Sequence, residues 1–467
     1  MKKIYTLIVA LACLFWSCDS KLDIVPKGKT TLANLADIEL LLNQEFNLGG
    51  APAGELGLIC NDAFTQFGNV AEYLATPNTL NYAYIKYDES VDRAALTNDD
   101  SRYIALYKQI NNMNVVIEKT DQADGDAALK SRLIAEAKIL RAYFHYLLVN
   151  IYAKQYDEST ASDLGGVPYV TTTDVSVLKE KVSIAEVYSQ LLEDCSENVI
   201  ADVRDYIDDI CRVDKAFAWG VRAKALFQMK RYSEAAEAAR QALRYNNNLE
   251  DRSATATTGV WDLQRNSTNN YLYMYGGTPV CPTYVCMPPE SVAIFDDNDY
   301  VRKYEIDSWT GGPTWSAEEA EMTSSYEGAL CYTGWGTMYN NMGIRTENMY
   351  FIIGESLIRG GQVKEGLGWF DKVRAKRIEN PEIWADKALD EKGAMELVRQ
   401  FSYIEFFAGY DTFFNCKRWN SEPAYARTIT RDLGKFGKYS ISPDSPLWVF
   451  PFPSSATRYN ETLTQNY

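Results

Sequence analysis

Residues 216–243 read AFAWGVRAKALFQMKRYSEAAEAARQAL. The spacing predicts two helices, Ala216–Met229 and Ser233–Leu243, joined by a short turn. Laid over the tetratricopeptide pattern, Trp219, Ala223, Leu226, Tyr232, Ala235, Ala239 and Ala242 take its key positions, with Arg222 where a leucine is usual. Small residues matter because the two helices of a repeat cross closely. A second match begins at Tyr350, with Ile353, Gly354 and Leu357, and continues with Val363, Gly366, Phe370 and Val373. Two unrelated helical hairpins are the alternative reading of these matches.

The helical rhythm extends outward. Helices are predicted over Thr30–Asn43, Arg102–Thr120 and Ala127–Tyr152, where Leu133, Ala137, Leu140, Phe144, Leu147, Leu148 and Ile151 recur at helical spacing. Ile184–Val199 and Gly393–Phe407 extend the stack. Two stretches break the rhythm. Residues 60–100 carry Pro77 and several Asn and Tyr. Residues 250–345 are rich in turn formers and aromatic rings, and a structureless loop that long is improbable inside a compact domain. The expected fold is therefore mostly α: a tetratricopeptide-like helical repeat scaffold with a loop-rich ligand-binding subdomain inserted between repeats. Repeats are assigned mainly to 31–59, 101–250 and 345–420, and irregular ligand-binding portions to 60–100 and 251–344, all within one domain spanning 31–467.

Composition narrows the function. The 467 residues carry 47 basic and 63 acidic side chains, a net charge of −16. Nucleic-acid affinity is largely counterion release by Lys and Arg, so no nucleic-acid partner is expected. One histidine builds neither a His-rich zinc site nor a metalloprotease helix. Lys2 and Lys3, the apolar run Ile4–Trp16, then Ser17-Cys18 read as a signal peptide over 1–17, with Cys18 as a lipidated N-terminus and 18–30 as a tether. Cys13, or an ordinary signal peptide, is the weaker alternative. The remaining cysteines, Cys60, Cys195, Cys211, Cys281, Cys286, Cys331 and Cys416, are odd in number and widely spread, not a disulfide framework. A local Cys281–Cys286 bridge is permitted by export.

Several marks resemble the SusD/RagB nutrient-binding lipoproteins. They are the start Cys18-Asp19-Ser20-Lys21-Leu22-Asp23-Ile24-Val25-Pro26, and Tyr107, Ile110, Asn111 and Asn114 in an early helix. Ala135-Glu136-Ala137-Lys138-Ile139-Leu140-Arg141-Ala142-Tyr143-Phe144 leads on to Gly166-Val167-Pro168. Lys417-Arg418-Trp419-Asn420 and Pro451-Phe452-Pro453 with Gln465-Asn466-Tyr467 complete the set in order along nearly the whole chain. Ala408, Gly409, Thr412 and Asn415 stand where the family usually has Glu, Gly, Arg and Asp. Thr457 stands near the place of a family Glu. The resemblance implies a cell-surface outer-membrane lipoprotein that pairs with a SusC-like TonB-dependent outer-membrane transporter. It implies capture of glycans in most branches and of peptides in some; the residues themselves call for no cofactor or metal, with a calcium ion left open.

The chemistry agrees with binding. No Gly-x-Ser-x-Gly elbow, P-loop or dinucleotide fingerprint occurs, and no catalytic residue is assigned. His145 sits in a strong helix and reads as structural. The clusters Asp296-Asp297-Asp299 and Glu318-Glu319-Glu321 read as solvated faces. A sugar ring offers an apolar face to flat aromatics and hydroxyls to polar side chains. Trp309, Trp315 and Trp335, in Gly- and Thr-rich context, are the first candidates for stacking. Tyr82, Tyr84, Tyr273 and Tyr332 follow, with Asn81, Asn340 and Asn341 as hydroxyl partners. Trp219, Trp369, Arg141 and Trp419 read as structural. Peptide capture, aided by steering of basic peptides to the acidic surface, and a purely structural role beside a transporter are the competing readings.

Overall fold

A computed structural model describes residues 32, 34–43, 54–60, 70–253, 269–275, 286–287, 289–304, 306–307, 318, 330–332, 340–406 and 409–467. The chain is mostly helical. The helices that build the scaffold are α1 (Leu35–Leu40), α2 (Leu80–Lys86), α3 (Ser101–Gln122), α4 (Ala127–Tyr152), α5 (Ile184–Asp194), α6 (Lys215–Gln228), α7 (Tyr232–Tyr245), α8 (Thr346–Arg359), α9 (Val363–Arg374), α10 (Glu391–Glu405) and α11 (Tyr410–Asn420). The starts of α1–α6 and α10 are fixed by side chains that accept otherwise unpaired backbone N–H groups. Asp126 caps α4 at Leu129 N (2.7 Å), Asp214 caps α6 at Phe217 N (3.0 Å), and Asp390 caps α10 at Gly393 N (2.8 Å).

The predicted hairpins are present. α3 packs on α4 and α4 on α5; α6 packs on α7, α7 on α8, and α8 on α9, so the two repeat matches stand side by side in one stack. Ala223, Ala235, Ala239 and Ala242 are fully buried between their helices. In the second hairpin a Cβ on Gly366 would lie 2.6 Å from the Gly354 carbonyl oxygen, so only glycine allows this crossing. The predicted Ile184–Val199 helix ends at Asp194. A second short helix, Glu197–Ala201, follows, because Ser196 starts a new one in extended conformation.

Part of the region expected to be irregular is helical. Residues 70–100 hold Val70–Ala75, α2 and Arg93–Leu96, each a short helix. Thr79 caps α2 and Asp92 caps Arg93–Leu96, while Tyr87 in left-handed conformation ends α2. Capping residues set in a polar stretch, without a long apolar period, explain why the pattern reads as loop.

The large insertion leaves and rejoins the scaffold through a two-stranded clamp. β1 (Tyr271–Tyr273) pairs antiparallel with β5 (Ile344–Arg345), with a bulge between Tyr271 and Tyr273. Between them lie β2 (Cys286–Met287), β3 (Ile306–Asp307) and β4 (Leu330–Tyr332), a small antiparallel sheet in the order β2–β4–β3. β6 (Ile429–Asp432) and β7 (Lys438–Ile441) form a hairpin near the C-terminus.

Candidate functional site

The clamp is closed on itself by Asn340. Its side-chain nitrogen donates to the Tyr273 carbonyl (3.0 Å), and its side-chain oxygen accepts from Tyr275 N (2.9 Å). A Cβ on Gly343 would fall 1.9 Å from the Asn340 side-chain oxygen and 2.3 Å from Tyr273 O, so the turn closes only around glycine. Met342 O accepts from the Tyr143 hydroxyl of α4 (2.6 Å), which fixes the returning strand to the core.

A second anchor is ionic. Arg377 spans Glu405 (2.8 and 2.9 Å) and Glu347 (2.7 Å), and Arg345 adds a contact to Glu405 (3.2 Å). Arg252 reaches the same carboxylate at 3.4 Å. Burial would raise the Glu405 carboxyl, but Arg252 and Arg377 outweigh it and hold it at about 2. Residues on both sides of the insertion thus converge on one buried carboxylate. Sequence reading missed this cluster; a charged residue inside an otherwise apolar helix face, such as Glu405 after Phe401 and Ile404, is the signal that points to it.

The sequence-derived candidates separate. Trp309, Trp315 and Trp335 lie outside the described residues. Tyr332 lies at the end of β4, opposite Ile306 of β3. Tyr82 is half-buried on α2, with its hydroxyl accepting from Lys86 (2.6 Å), and Asn81 beside it is exposed. Those two remain at the surface. Tyr84 and Tyr273 do not: they are 1% and 0% exposed, packed against Phe450 and Phe217. α2 turns Tyr84 inward, and β1 is covered on both faces, so Tyr273 is buried too. Asn340 is buried and spent on the clamp, so it is no hydroxyl partner for a ligand. Asn341 is half-buried, and its carbonyl accepts from Tyr410 N (3.0 Å).

Asp299 also departs from expectation. It is 1% exposed, not solvated, and accepts from Val301 N (2.8 Å). Burial pushes its carboxyl up to about 6, against the pull of Arg252. Among the described residues no group of His, Cys, Asp and Glu is placed to hold a metal ion.

His145 is fully engaged. Its Nδ1 lies 2.8 Å from Arg141 O, and its Nε2 accepts from Val170 N (3.0 Å). The two contacts fix a neutral ring protonated at Nδ1. The ring stacks on Tyr169 at 3.8 Å, and burial depresses its pKa to about 3. Arg141 forks onto Asp194 (2.7 Å twice) and donates to Asn114 (2.8 Å), joining α3, α4 and α5. Trp219 and Trp369 pack half-buried on the core.

A groove of about 310 Å³ opens between α3, the loop after Pro168 and the C-terminal segment. Tyr103, Tyr107, Val170 and Asn460 line it, and none of the predicted ligand residues does. The Tyr107 hydroxyl is spent on Pro168 O (2.9 Å) and the Asn460 amide on Lys179 O (2.7 Å).

The fold matches known structures. A SusD superfamily protein from Bacteroides thetaiotaomicron superposes with a TM-score of 0.67 at 16% identity, over 93% of this chain and 100% of that one. A protein from Bacteroides vulgatus described as sugar-binding gives 0.65 at 15%, over 94% and 99%. A SusD-like carbohydrate-binding protein from the same organism gives 0.65 at 15%, over 92% and 97%. Residues 22–208 match the SusD-like family model described as starch-binding and associating with the outer membrane. The fold is SusD-like. No curated protein matches its sequence. The matched residues include α3 and α4, where Arg141 donates to Asn114 and to Asp194 of α5. The late Lys-Arg-Trp stretch falls in the SusD-like α11, where Arg418 and Trp419 both bond Glu355 of α8. Thr412 and Asn415 bond Phe406 O (2.8 Å) and the Ser402 hydroxyl (3.3 Å).

Proposed function

We propose that this protein is a cell-surface lipoprotein of the outer membrane. It binds oligosaccharide or polysaccharide and delivers it to a TonB-dependent outer-membrane transporter of the SusC-like type. The observation that carries this reading is the likeness of the whole chain to SusD-like structures, joined to the match of residues 22–208 to a starch-binding, outer-membrane-associating family. The signal peptide with Cys18 supports the anchor, and among the described residues no helix is long and apolar enough to cross a membrane. Aromatic residues concentrated in the clamped insertion support ring stacking on sugar faces. Trp309, Trp315 and Trp335 are the proposed stacking residues, with Tyr332, Tyr82 and Asn81.

Calorimetry and affinity electrophoresis against a broad polysaccharide panel test the ligand class. Retardation by one or a few glycans is expected. No binding to any glycan, together with salt-sensitive retention of basic peptides, would replace the glycan with a peptide. Co-purification with a transporter from detergent-solubilised outer membranes tests the partner.

A further inference from the structure

One face of the scaffold carries a hole and a knob side by side. The hole is the groove between α3 and the C-terminal segment, walled by the Tyr103 and Tyr107 rings, Val170 and Leu463. The Tyr107 hydroxyl and the Asn460 amide are spent on carbonyls, and the Thr173 hydroxyl donates to Glu118 of α3, so the wall offers an occupant chiefly apolar surface. The knob is the loop at the rim of the groove. Val175 is 96% exposed, and Val177 and Leu178 are 50% and 51% exposed. The loop is braced for that display. Asp174 Oδ1 accepts from the Ser176 amide (2.8 Å) and hydroxyl (2.7 Å), the Lys179 ammonium donates to Asp174 O, and Lys179 O accepts from Asn460. Ile104 and Tyr459, next in sequence to the lining residues Tyr103 and Asn460, add exposed apolar surface. Exposed apolar groups gathered in this way mark interaction sites.

Charge selects the occupant. The chain carries −16, so two copies repel at long range. This face is balanced: Lys108, Lys179 and Arg458 stand against Asp174, Glu180 and Glu461, each lining the groove or close in sequence to a lining residue. A knob and a hole adjacent on one balanced face form the self-complementary arrangement that a two-fold axis closes. We propose that this face pairs two copies of the chain, the Val175–Leu178 loop of each seated in the groove of the other. The pairing goes beyond the binding role proposed above and does not depend on it.

Sedimentation of the full chain in detergent, with micelles in excess over protein, reads the number of chains per particle. Particles of two chains are expected, falling to one on dilution. V175D removes the knob, and N111W fills the hole, since Asn111 is an exposed residue of α3 that lines the groove. Each alone is expected to weaken pairing about tenfold or more. Melting temperatures stay at the wild-type value, because both residues are exposed. Mixed one to one, the two variants are expected to recover pairing, because the intact loop of the N111W chain meets the intact groove of the V175D chain. I383D, the same kind of change at an exposed residue that does not line the groove, is expected to leave pairing as it is. Single chains at all concentrations up to about 0.1 mM overturn the proposal, as do pairs that V175D leaves intact or that I383D dissolves equally. A mixture that pairs no better than either variant overturns the seating of loop in groove. Single chains that bind phosphatidylethanolamine vesicles, and lose that binding in V175D, overturn the pairing and assign the face to a membrane.

Discussion

Glu355 accepts both prongs of Arg418, at 2.6 and 2.9 Å, across the contact between α8 and α11. Trp419 donates to the same carboxylate at 3.1 Å, and Arg359 reaches it from its own helix at 2.8 Å. A carboxylate with so many donors is stable only as a set. The Lys-Arg-Trp stretch that marks the chain in sequence is therefore a scaffold joint, not a ligand contact.

The first prediction is that E355Q destabilises the fold by about 3–5 kcal/mol at pH 7, the range for leaving a buried charge unpaired. R418M behaves alike, and the double variant E355L/R418M costs less than either single one. Burial would raise the Glu355 carboxyl, but Arg418 and Arg359 outweigh it and hold it at about 2. Its contribution is then full above pH 4.5 and lost as pH falls from 4.5 toward 2. His145, buried neutral, loses its contribution earlier, as pH falls from 6.5 toward 3. Urea unfolding in steps between pH 7 and 2.5 separates the two: E355Q makes the lower limb shallower, leaving the share of Glu405 in it and the His145 limb in place. Parallel acid limbs in E355Q and wild type would show that Glu355 is not paired as drawn.

The second prediction concerns Lys417. Its ammonium is 4% exposed and donates to the carbonyls of Asn150 and Ala153, at 2.6 and 2.7 Å. These are carbonyls at the end of α4, the place where a cation is favoured. Burial still depresses the group to about 7. Between pH 7 and 10.5 the unfolded chain holds a proton that the folded chain lacks, so stability rises with pH across that window. The penalty is full below pH 7. The slope approaches about 1.4 kcal/mol per pH unit. K417M abolishes it over pH 7.5–9.5, where the tyrosines remain protonated, and loses about 1–3 kcal/mol from the carbonyls left without a donor. Equal slopes for variant and wild type would mean that Lys417 titrates near its ordinary value.

The helical half was legible in sequence because its signals are local and repeated. Ala127–Tyr152 follows from its own apolar period, and the small residues of both repeats mark close crossings. The candidate site was less so. Tyr84 and Tyr82 stand two residues apart on one short helix, and no pattern in so short a helix says which turns inward. Asn340 resembles a surface amide until the Tyr273–Tyr275 backbone is placed beside it. The Glu405–Arg377–Glu347 cluster joins residues up to 153 positions apart, counting Arg252, and such meetings carry no local signature.

The third prediction is that G343A opens the clamp. The new methyl would overlap the Asn340 side-chain oxygen and the Tyr273 carbonyl, and both are bonded to partners that hold them in place. Relief requires breaking the Asn340 contacts, at a cost of about 1–3 kcal/mol. Hydrogen exchange at Tyr275 N–H, which Asn340 protects, is expected to accelerate while α6 and α7 stay protected. Unchanged exchange at that amide would show that the turn has room for a Cβ.

The fourth prediction separates ligand residues from core residues. W309A, W315A and W335A are expected to weaken binding of whichever glycan the panel identifies. A lost stacked ring costs about 1–1.5 kcal/mol, roughly tenfold in affinity. Their melting temperatures should stay near wild type if the rings are presented and not packed. Y84A and Y273A should do the reverse: both rings are buried against other aromatics, so truncation costs about 3–5 kcal/mol of stability. Y82A lies between, since its ring is half-buried and its hydroxyl bonds only Lys86. A modest affinity loss without a large drop in melting temperature would place Tyr82 with the ligand. If the three tryptophan variants melt early and bind normally once folded, stacking moves to other residues of the insertion and the sugar-face argument loses its named residues.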